Sequence, residues 1–424
     1  MKQIIAQLQA NPMVSDWKIN VDHKESYELF FVKGKLETVR CTDTCDKIVT
    51  VYVDHDGCKG DSQFFVYPST TEEELKELIE KAVQKAALLN NKMYHLPANE
   101  SGEYEVESNF SAYNLAQLAG KIADSVFAAN TLEHADLNSV EIFVNRHTDT
   151  VCNSRGIHKT QVRYNAMVET IPTYNTEAES VELYQQYNFS AFDEDTVRNE
   201  IAEKLREVKA RASAVKPDFA MDCKVILNKE ELSTLFGTLS QELNYSTVYA
   251  HAGVFHKGDA IQEAPTGDTI TITMAGSVPG NVRSACFDSD GMTLKDMTIV
   301  EAGNAVAYYG ANRFGQYLDE IPTGNLRCMQ VETGSACPKC LTQAPYLEVL
   351  SMSGLQVDTF TDYIGGEIRL ADYFDGQKHT PVTGISITGS LKQVLSSIRL
   401  SCNSAVFDGY CGPDKAILQD MKIF

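Results

Sequence analysis

The first part of the chain alternates apolar and polar residues over a long stretch. This alternation runs through residues 26–67 and is clearest at residues 27–32 and 47–53. Successive side chains of a β-strand point to opposite faces, so strict alternation gives the strand one apolar face and one polar face. The pattern therefore predicts an antiparallel meander in this region.

Helical spacing replaces this alternation in several other segments. Over residues 72–90, for example, Leu75, Ile79 and Ala82 fall on one face and acidic residues open the first turn. Together the patterns predict helices at residues 1–9, 72–90, 111–129 and 193–213, and further strands at 139–144 and 160–173.

Short β-branched runs dominate the second half of the chain. They predict strands at residues 223–227, 269–274, 297–300, 368–370 and 385–388. One helix interrupts them at residues 228–243, with Asn228 as a candidate N-cap and Glu231 three residues further on. Its apolar stripe consists of Leu232, Leu235, Phe236, Leu239 and Leu243.

These elements predict an α+β fold in two parts. We place the boundary at Lys216-Pro217-Asp218, directly after the predicted charged helix. Residues 1–215 then form an N-terminal α+β domain, built from an antiparallel sheet with helices, and residues 216–424 form a strand-rich C-terminal domain.

Composition narrows the class of protein. With 43% hydrophobic and 22% charged residues, the chain of 424 residues has the composition of a globular protein. Its 58 acidic and 37 basic residues give a formal charge of −21, which repels phosphates and anionic lipid and argues against nucleic acid or membrane partners. Eleven cysteines without an export signal indicate reduced thiols, so we expect a cytoplasmic protein.

A series of short motifs follows in the second half. The series comprises FDSDG at 287–291, VEAG at 300–303, PTGNL at 322–326, GGEI at 365–368, PV at 381–382 and TGSL at 388–391. In order and spacing this series resembles the TldD/PmbA family. The first half adds NSRG at 153–156 between two predicted strands, so the resemblance covers nearly the whole chain.

The resemblance implies both an architecture and an activity. Catalytic members of the family are metallopeptidases whose zinc is held by a His-Glu-x-x-x-His helix and a cysteine near the C-terminus. They act in a dimer with a related subunit that lacks the histidines, and their C-terminal half is barrel-like. The resemblance thus implies a cytoplasmic peptidase complex that cuts unfolded or modified peptides, which strand addition to an exposed sheet edge would hold.

None of the nine histidines of this chain is followed by glutamate. By order along the chain, the family's metal helix falls on residues 228–243, where the matching stretch is FGTLSQ at 236–241. This stretch offers no metal ligand, and its periodicity indicates a packing helix. We therefore expect a non-catalytic subunit with no cofactor of its own, whose partner is a histidine-bearing TldD-like homologue with zinc, or a second copy in a homodimer.

An alternative is an unconventional metal site that makes the chain active alone. His251 and His256 have the histidine spacing of the family motif, but Gly253 and Val254 between them favour a strand or loop over a helix. Cys411 resembles the family's C-terminal zinc cysteine, although it is more typical of a small buried hydrophobic residue. These three residues are the fallback metal candidates.

Two further pairs of residues have competing interpretations. Cys337 and Cys340 have the spacing of half a zinc knuckle or a redox pair, but without a second such motif we expect a turn with two free thiols. Asp288 and Asp290 are more typical of a turn than of a metal pair.

The resemblance also leaves a third hypothesis for function. The family's older description is that of a modulator of DNA gyrase, which would make this chain a protein-binding regulator.

Overall fold

The computed structural model describes residues 1–177 and 179–424 and confirms the α+β class. A 3-10 turn covers Asn109–Ala112. The helices are α1 (Lys2–Ala10), α2 (Glu72–Ala86), α3 (Leu115–Ala128), α4 (Glu194–Ala212), α5 (Lys229–Glu242), α6 (Tyr245–Tyr249), α7 (Asn312–Tyr317), α8 (Pro338–Leu341) and α9 (Leu391–Ser397). None of the helices in the described ranges is long and apolar enough to cross a membrane.

The N-terminal strands form one sheet, as predicted. They are β1 (Asp16–Val32), β2 (Lys35–His55), β3 (Cys58–Val66), β4 (Ser101–Glu105), β5 (Ala135–Asn153), β6 (His158–Asn175), β7 (Ser180–Glu182) and β8 (Gln185–Phe189). Their order is β3-β2-β1-β5-β6-β4, and β7 and β8 also pair with β6. The pairs are antiparallel except for β4 with β6, which confirms the predicted meander and extends it.

Two pairs of helices pack on this sheet. Helices α1 and α2 bury Leu8 and Ile79 against Ile19, Val49 and Val51 of the first two strands. Helices α3 and α4 bury a second apolar patch over β5 and β6. A capping box between Thr71 and Glu74 fixes the start of α2, because each side chain satisfies a backbone N–H group that lacks a helical partner.

One strand is much longer than its apolar alternation predicts. β5 covers Ala135–Asn153, far beyond the predicted 139–144, whereas β6 (His158–Asn175) exceeds the predicted 160–173 by only two residues at each end. The added positions carry ion pairs in place of apolar residues: Arg146 Nη1 lies 2.6 Å from Glu25 Oε2, and Arg163 Nε lies 2.5 Å from Asp149 Oδ2. Alternation of hydrophobicity disappears where both faces of a strand carry polar groups.

The remaining strands form two sheets. They are β9 (Lys224–Asn228), β10 (Ile272–Ala275), β11 (Met297–Glu301), β12 (Asn304–Ala305), β13 (Cys328–Val331), β14 (Tyr346–Met352), β15 (Gln356–Asp358), β16 (Tyr363–Phe374), β17 (His379–Val382), β18 (Ile385–Ser390), β19 (Arg399–Leu400), β20 (Ser404–Phe407), β21 (Tyr410–Pro413), β22 (Lys415–Leu418) and β23 (Lys422–Ile423). One sheet has the order β12-β11-β10-β13-β21-β20. The other has the order β19-β22-β9-β14-β16-β18-β23, with β15 and β17 on β16.

Helix α5 contacts both C-terminal sheets. Its buried leucines belong to one apolar core with residues of both sheets, such as Ile272 and Leu347. The C-terminal part is therefore strand-rich, as predicted, and its helix α5 packs against both sheets. The boundary between residues 215 and 216 stays a prediction; at this point Val215 N donates a hydrogen bond to Pro381 O at 3.0 Å.

Candidate functional site

Helix α5 occupies the position that the sequence assigns to the family's metal helix. Its N-cap is Asn228, as predicted, and the Asn228 side chain accepts a hydrogen bond from Glu230 N at 2.9 Å rather than from Glu231. Leu235, Phe236 and Leu239 are fully buried. The predicted apolar stripe is thus the face that packs into the core.

The strand that carries Cys411 packs against this helix. The ring of Phe236 stacks on Tyr410 with 6.4 Å between centroids and an interplanar angle of 1°. Cys411 is half-buried beside Val278 and Cys328, and burial raises the pKa of its thiol. Because thiolate is the form that binds metal, the environment of Cys411 suits a small hydrophobic residue better than a ligand.

The other side chains of the 236–241 stretch are already engaged. Ser240 Oγ lies 3.1 Å from Met329 Sδ, Thr238 Oγ1 donates to Thr234 O at 3.0 Å, and Gln241 Nε2 donates to Thr247 Oγ1 at 2.7 Å. A zinc site of the family's kind requires two imidazoles, a thiolate and an open position. The residues of α5 and β21 do not fit such an ion.

His251 and His256 lie in the turn after α6. His251 is exposed and has a φ of +52°. The His256 side chain is 62% exposed, and its Nδ1 lies 3.6 Å from Asp259 Oδ2. As the glycine and valine between them predict, this segment is not helical. The glutamate that ends α5, Glu242, holds the loop by accepting a hydrogen bond from Phe255 N at 3.2 Å.

The structure gathers a different set of ligand atoms. Across residues 1–177 and 179–424, the cluster of three or more His, Cys, Asp or Glu ligand atoms within 4.8 Å of one another is Asp22, His147 and Asp149. His251, His256 and Cys411 are not brought together in this way. The sequence did not predict this cluster. Its one sign in the sequence is that β1 and β5 carry polar residues at positions where apolar residues are expected.

Protein groups already occupy this cluster. Asp149 Oδ2 accepts hydrogen bonds from Arg163 Nε at 2.5 Å and from Gln161 Nε2 at 3.2 Å. His147 Nδ1 lies 3.3 Å from Asp22 Oδ1, and this hydrogen bond lowers the pKa of the Asp22 carboxyl. Since an arginine neutralises Asp149, the cluster is a hydrogen-bonded network rather than an acidic cage.

A cavity of about 370 Å³ lies between the N-terminal sheet and the C-terminal loops. Asp22, Asp149 and Arg163 line one wall, whereas Arg283 and Arg327 belong to the opposite wall. Both signs of charge therefore face the cavity.

The FDSDG motif joins the two walls. Asp288 Oδ1 accepts hydrogen bonds from Asp290 N at 2.9 Å and Met292 N at 3.1 Å, which confirms the predicted turn. Burial, with the nearby Asp290 carboxylate, raises the pKa of Asp288 to about 6. Asp290 pairs with Lys18 of β1 at 2.5 Å, and Ser289 O accepts from Asn20 Nδ2 at 2.7 Å. The motif thus docks the C-terminal loops on the N-terminal sheet.

Three solved structures are similar to the whole chain in fold. TldE from Thermococcus kodakarensis is 15% identical with a TM-score of 0.80, over 100% of this chain and 99% of its own. Proteins described as candidate modulators of DNA gyrase, from Thermotoga maritima and Bacteroides thetaiotaomicron, are each 13% identical with a TM-score of 0.77. They match 100% of this chain and 99% and 97% of their own chains.

No curated protein sequence matches the chain. A family model does match it: residues 220–423 correspond to the PmbA/TldA metallopeptidase C-terminal domain. This range contains α5, the FDSDG turn and the strand of Cys411. The matched domain, the ordered motifs and the shared fold agree: residues 220–423 belong to the TldD/PmbA family, and the whole chain has the fold of TldE.

Proposed function

We propose that this chain is the non-catalytic subunit of a cytoplasmic TldD/PmbA-type peptidase complex. The observation that carries the proposal is the packing of α5, where Phe236 stacks on Tyr410 in the region expected to hold the metal. In this proposal zinc belongs to a catalytic partner, a homologue with the His-Glu-x-x-x-His helix. The present chain supplies a second wall for the chamber in which peptides are cut.

An exposed sheet edge supports peptide binding. Within the described ranges, β2 pairs with β3 only over Lys47–His55, so residues 35–46 hydrogen-bond only to β1. This segment is largely exposed. Its free backbone N–H and C=O groups are suited to adding an extended peptide as a further strand, which fits substrates that are unfolded or modified and so present extended backbone.

Zinc content and activity of separately purified and co-purified proteins test the proposal. We expect the isolated chain to bind no stoichiometric zinc and to leave an unfolded peptide intact. Co-expression with a histidine-bearing homologue should give a complex that contains zinc and cuts the peptide. Replacing the first histidine of the homologue's motif should abolish cutting without separating the subunits.

The zinc content of the isolated chain also tests the alternative of an unconventional metal site. Stoichiometric zinc in the isolated chain that is lost in His256→Ala or Cys411→Ser would contradict the non-catalytic assignment. It would also require His251, His256 and Cys411 to come together, which they do not in the described residues.

A second candidate function rests on the two similar structures described as candidate modulators of DNA gyrase. The formal charge of −21 favours contact with a protein over contact with DNA in that role. Affinity capture from a cell lysate separates the candidates. Recovery of gyrase subunits would support modulation, and recovery of a family homologue alone would count against it.

A further inference from the structure

Cys337 and Cys340 lie next to each other at the start of α8. Their Sγ atoms are 3.2 Å apart, and Cys340 N donates a hydrogen bond to Cys337 O at 2.8 Å. A disulfide has an S–S distance of about 2.03–2.05 Å, so the two sulfur atoms need to approach by only about 1.2 Å. The backbone of this single turn already holds the pair in position to close.

The two thiols are chemically different from each other. A hydrogen bond from the Cys340 thiol, with backbone N–H groups of Cys340 and Lys339, lowers the pKa of Cys337. Both cysteines are half-buried, and Pro338 and Lys339 between them are exposed. Cys337 is therefore an accessible thiol with increased thiolate character, which is what makes a cysteine nucleophilic.

Seven other cysteines differ from this pair either in the pKa of the thiol or in the distance to a second cysteine. Burial raises the pKa of the thiols at Cys152, Cys223, Cys286, Cys328 and Cys411. Cys41 and Cys45 are exposed but lie four residues apart on β2. That spacing places their Cα atoms about 13 Å apart, too far for a disulfide.

A structural zinc is the main competing use of such a pair. Zinc knuckles need four ligands, two of them from a second pair. Across the two described ranges, no third Cys, His, Asp or Glu ligand atom forms a close cluster with Cys337 and Cys340. Cys223 borders the same surface depression as Cys340 without joining such a cluster.

We propose that Cys337 and Cys340 form a redox-active dithiol that exchanges with low-molecular-weight disulfides. The Cys337 thiolate attacks a disulfide RSSR, which forms a mixed disulfide and releases one RS⁻. Cys340 then loses its proton and attacks the Cys337 sulfur, which closes the intramolecular disulfide and releases the second RS⁻. Two protein thiols are oxidised, RSSR is reduced to two RSH, and both protons end on the released thiols.

The surrounding contacts allow this reaction to be reversible. Cys340 packs at the edge of a small core, and its carbonyl accepts a hydrogen bond from Lys224 Nζ at 2.7 Å. The core residues are Ile226, Ala336, Leu341, Tyr346 and Ile417. None of these contacts needs the sulfur atoms to stay apart, so closure and reopening leave the segment between β13 and β14 folded.

Mass spectrometry of the full chain after incubation with oxidised glutathione tests the proposal. We expect the peptide that contains both cysteines to become lighter by two hydrogen atoms and to retain no glutathione. In Cys340→Ser, Cys337 should retain one glutathione because the second attack is lost. In Cys337→Ser, we expect Cys340 to react at least about tenfold more slowly, because it is not the activated thiol.

The double variant Cys41→Ser/Cys45→Ser is the matched control, since it removes two exposed cysteines and should form the disulfide at the wild-type rate. Circular dichroism of each variant establishes that it is folded. Equal rates at Cys337 and Cys340, or stable glutathione adducts in the wild type, would overturn the proposal. The result does not depend on whether the chain pairs with a catalytic homologue.

Discussion

At the scale of single residues, Glu231 on the first turn of α5 has a buried carboxyl group that is only partly hydrogen-bonded. Its side chain is 5% exposed, and in the described part of the chain its Oε2 has no hydrogen-bond partner. Burial, and to a lesser extent the neighbouring Glu230, raises its pKa to about 7. An unfolded glutamate has a pKa of about 4.3. Between these values the folded chain retains a proton that the unfolded chain has lost.

This difference predicts the sign of a pH effect. As pH rises from about 4 to about 7, Glu231 lowers the free energy of unfolding, because the unfolded state releases its proton first. Glu231→Gln keeps the shape and removes the charge. We expect the variant to match the wild type near pH 4.5 and to exceed its unfolding free energy by up to about 3 kcal/mol at pH 8.

Urea unfolding of both proteins at the two pH values measures this difference. Glu80→Gln is the control, because Glu80 is exposed on α2 and its replacement should change stability by less than about 0.5 kcal/mol at either pH. If Glu231→Gln instead lowers the free energy of unfolding by the same amount at both pH values, another group in the folded chain stabilises the buried carboxylate.

At the scale of elements, the packing of β3 on the end of α2 depends on Gly60. A Cβ atom at this position would lie 1.8 Å from Ala86 O and 2.9 Å from Leu89 O. Both are backbone atoms, so no side-chain rotation relieves the overlap. The strand and the helix terminus therefore approach to a distance that only glycine allows.

We predict opposite effects for two Gly→Ala substitutions. Gly60→Ala should lower the free energy of unfolding by about 2–3 kcal/mol, because β3 and α2 must separate. Gly120→Ala is the matched control in the middle of α3, where an added Cβ meets nothing within 4 Å. Alanine there should raise stability by about 0.5–1 kcal/mol through helix propensity. Thermal or urea unfolding distinguishes the two, and equal effects would contradict the packing argument.

The sequence predicted elements best where one face is apolar. α5 begins one residue after its predicted N-cap and carries the predicted apolar stripe, and α4, predicted as a charged helix at residues 193–213, covers Glu194–Ala212. The helix predicted at residues 72–90 ends earlier, at Ala86. After Ala86 the chain turns back, and the backbone of Lys92 forms an antiparallel β-bridge with Cys58 at the start of β3. Such a contact between distant residues leaves no periodic signal in the sequence.

At the scale of the whole molecule, the motifs that identified the family could be found from sequence, but their structural role could not. The FDSDG turn was predicted as a turn. Its contact with Lys18 joins residues 272 positions apart, and no local pattern reports such a pairing. The cavity between the two walls could not be predicted either, because β1, β5 and β6 contribute to it alongside loops of the C-terminal part.

A buried lysine holds these two parts of the molecule together. The Lys159 side chain of β6 is 0% exposed, and its Nζ lies 2.6 Å from Thr293 Oγ1 and 2.7 Å from Glu100 Oε2. The same ammonium lies 6.0 Å and 5.9 Å from the ring centroids of Tyr104 and Phe287. Thr293 and Phe287 belong to the C-terminal loops. The Lys159 ammonium group therefore connects the N-terminal sheet to these loops.

Lys159→Met keeps the length of the side chain and removes the charge, so it should loosen this contact selectively. Hydrogen bonds to charged groups contribute about 1.5–3 kcal/mol, which corresponds to about ten- to hundredfold faster exchange of backbone N–H groups at residues 286–293. The core of α3 should keep its protection, and Lys295→Met, at an exposed position, should leave both regions unchanged. Equal acceleration in α3 and at 286–293 would instead mean that Lys159 supports the N-terminal fold itself and that other contacts hold the two parts together.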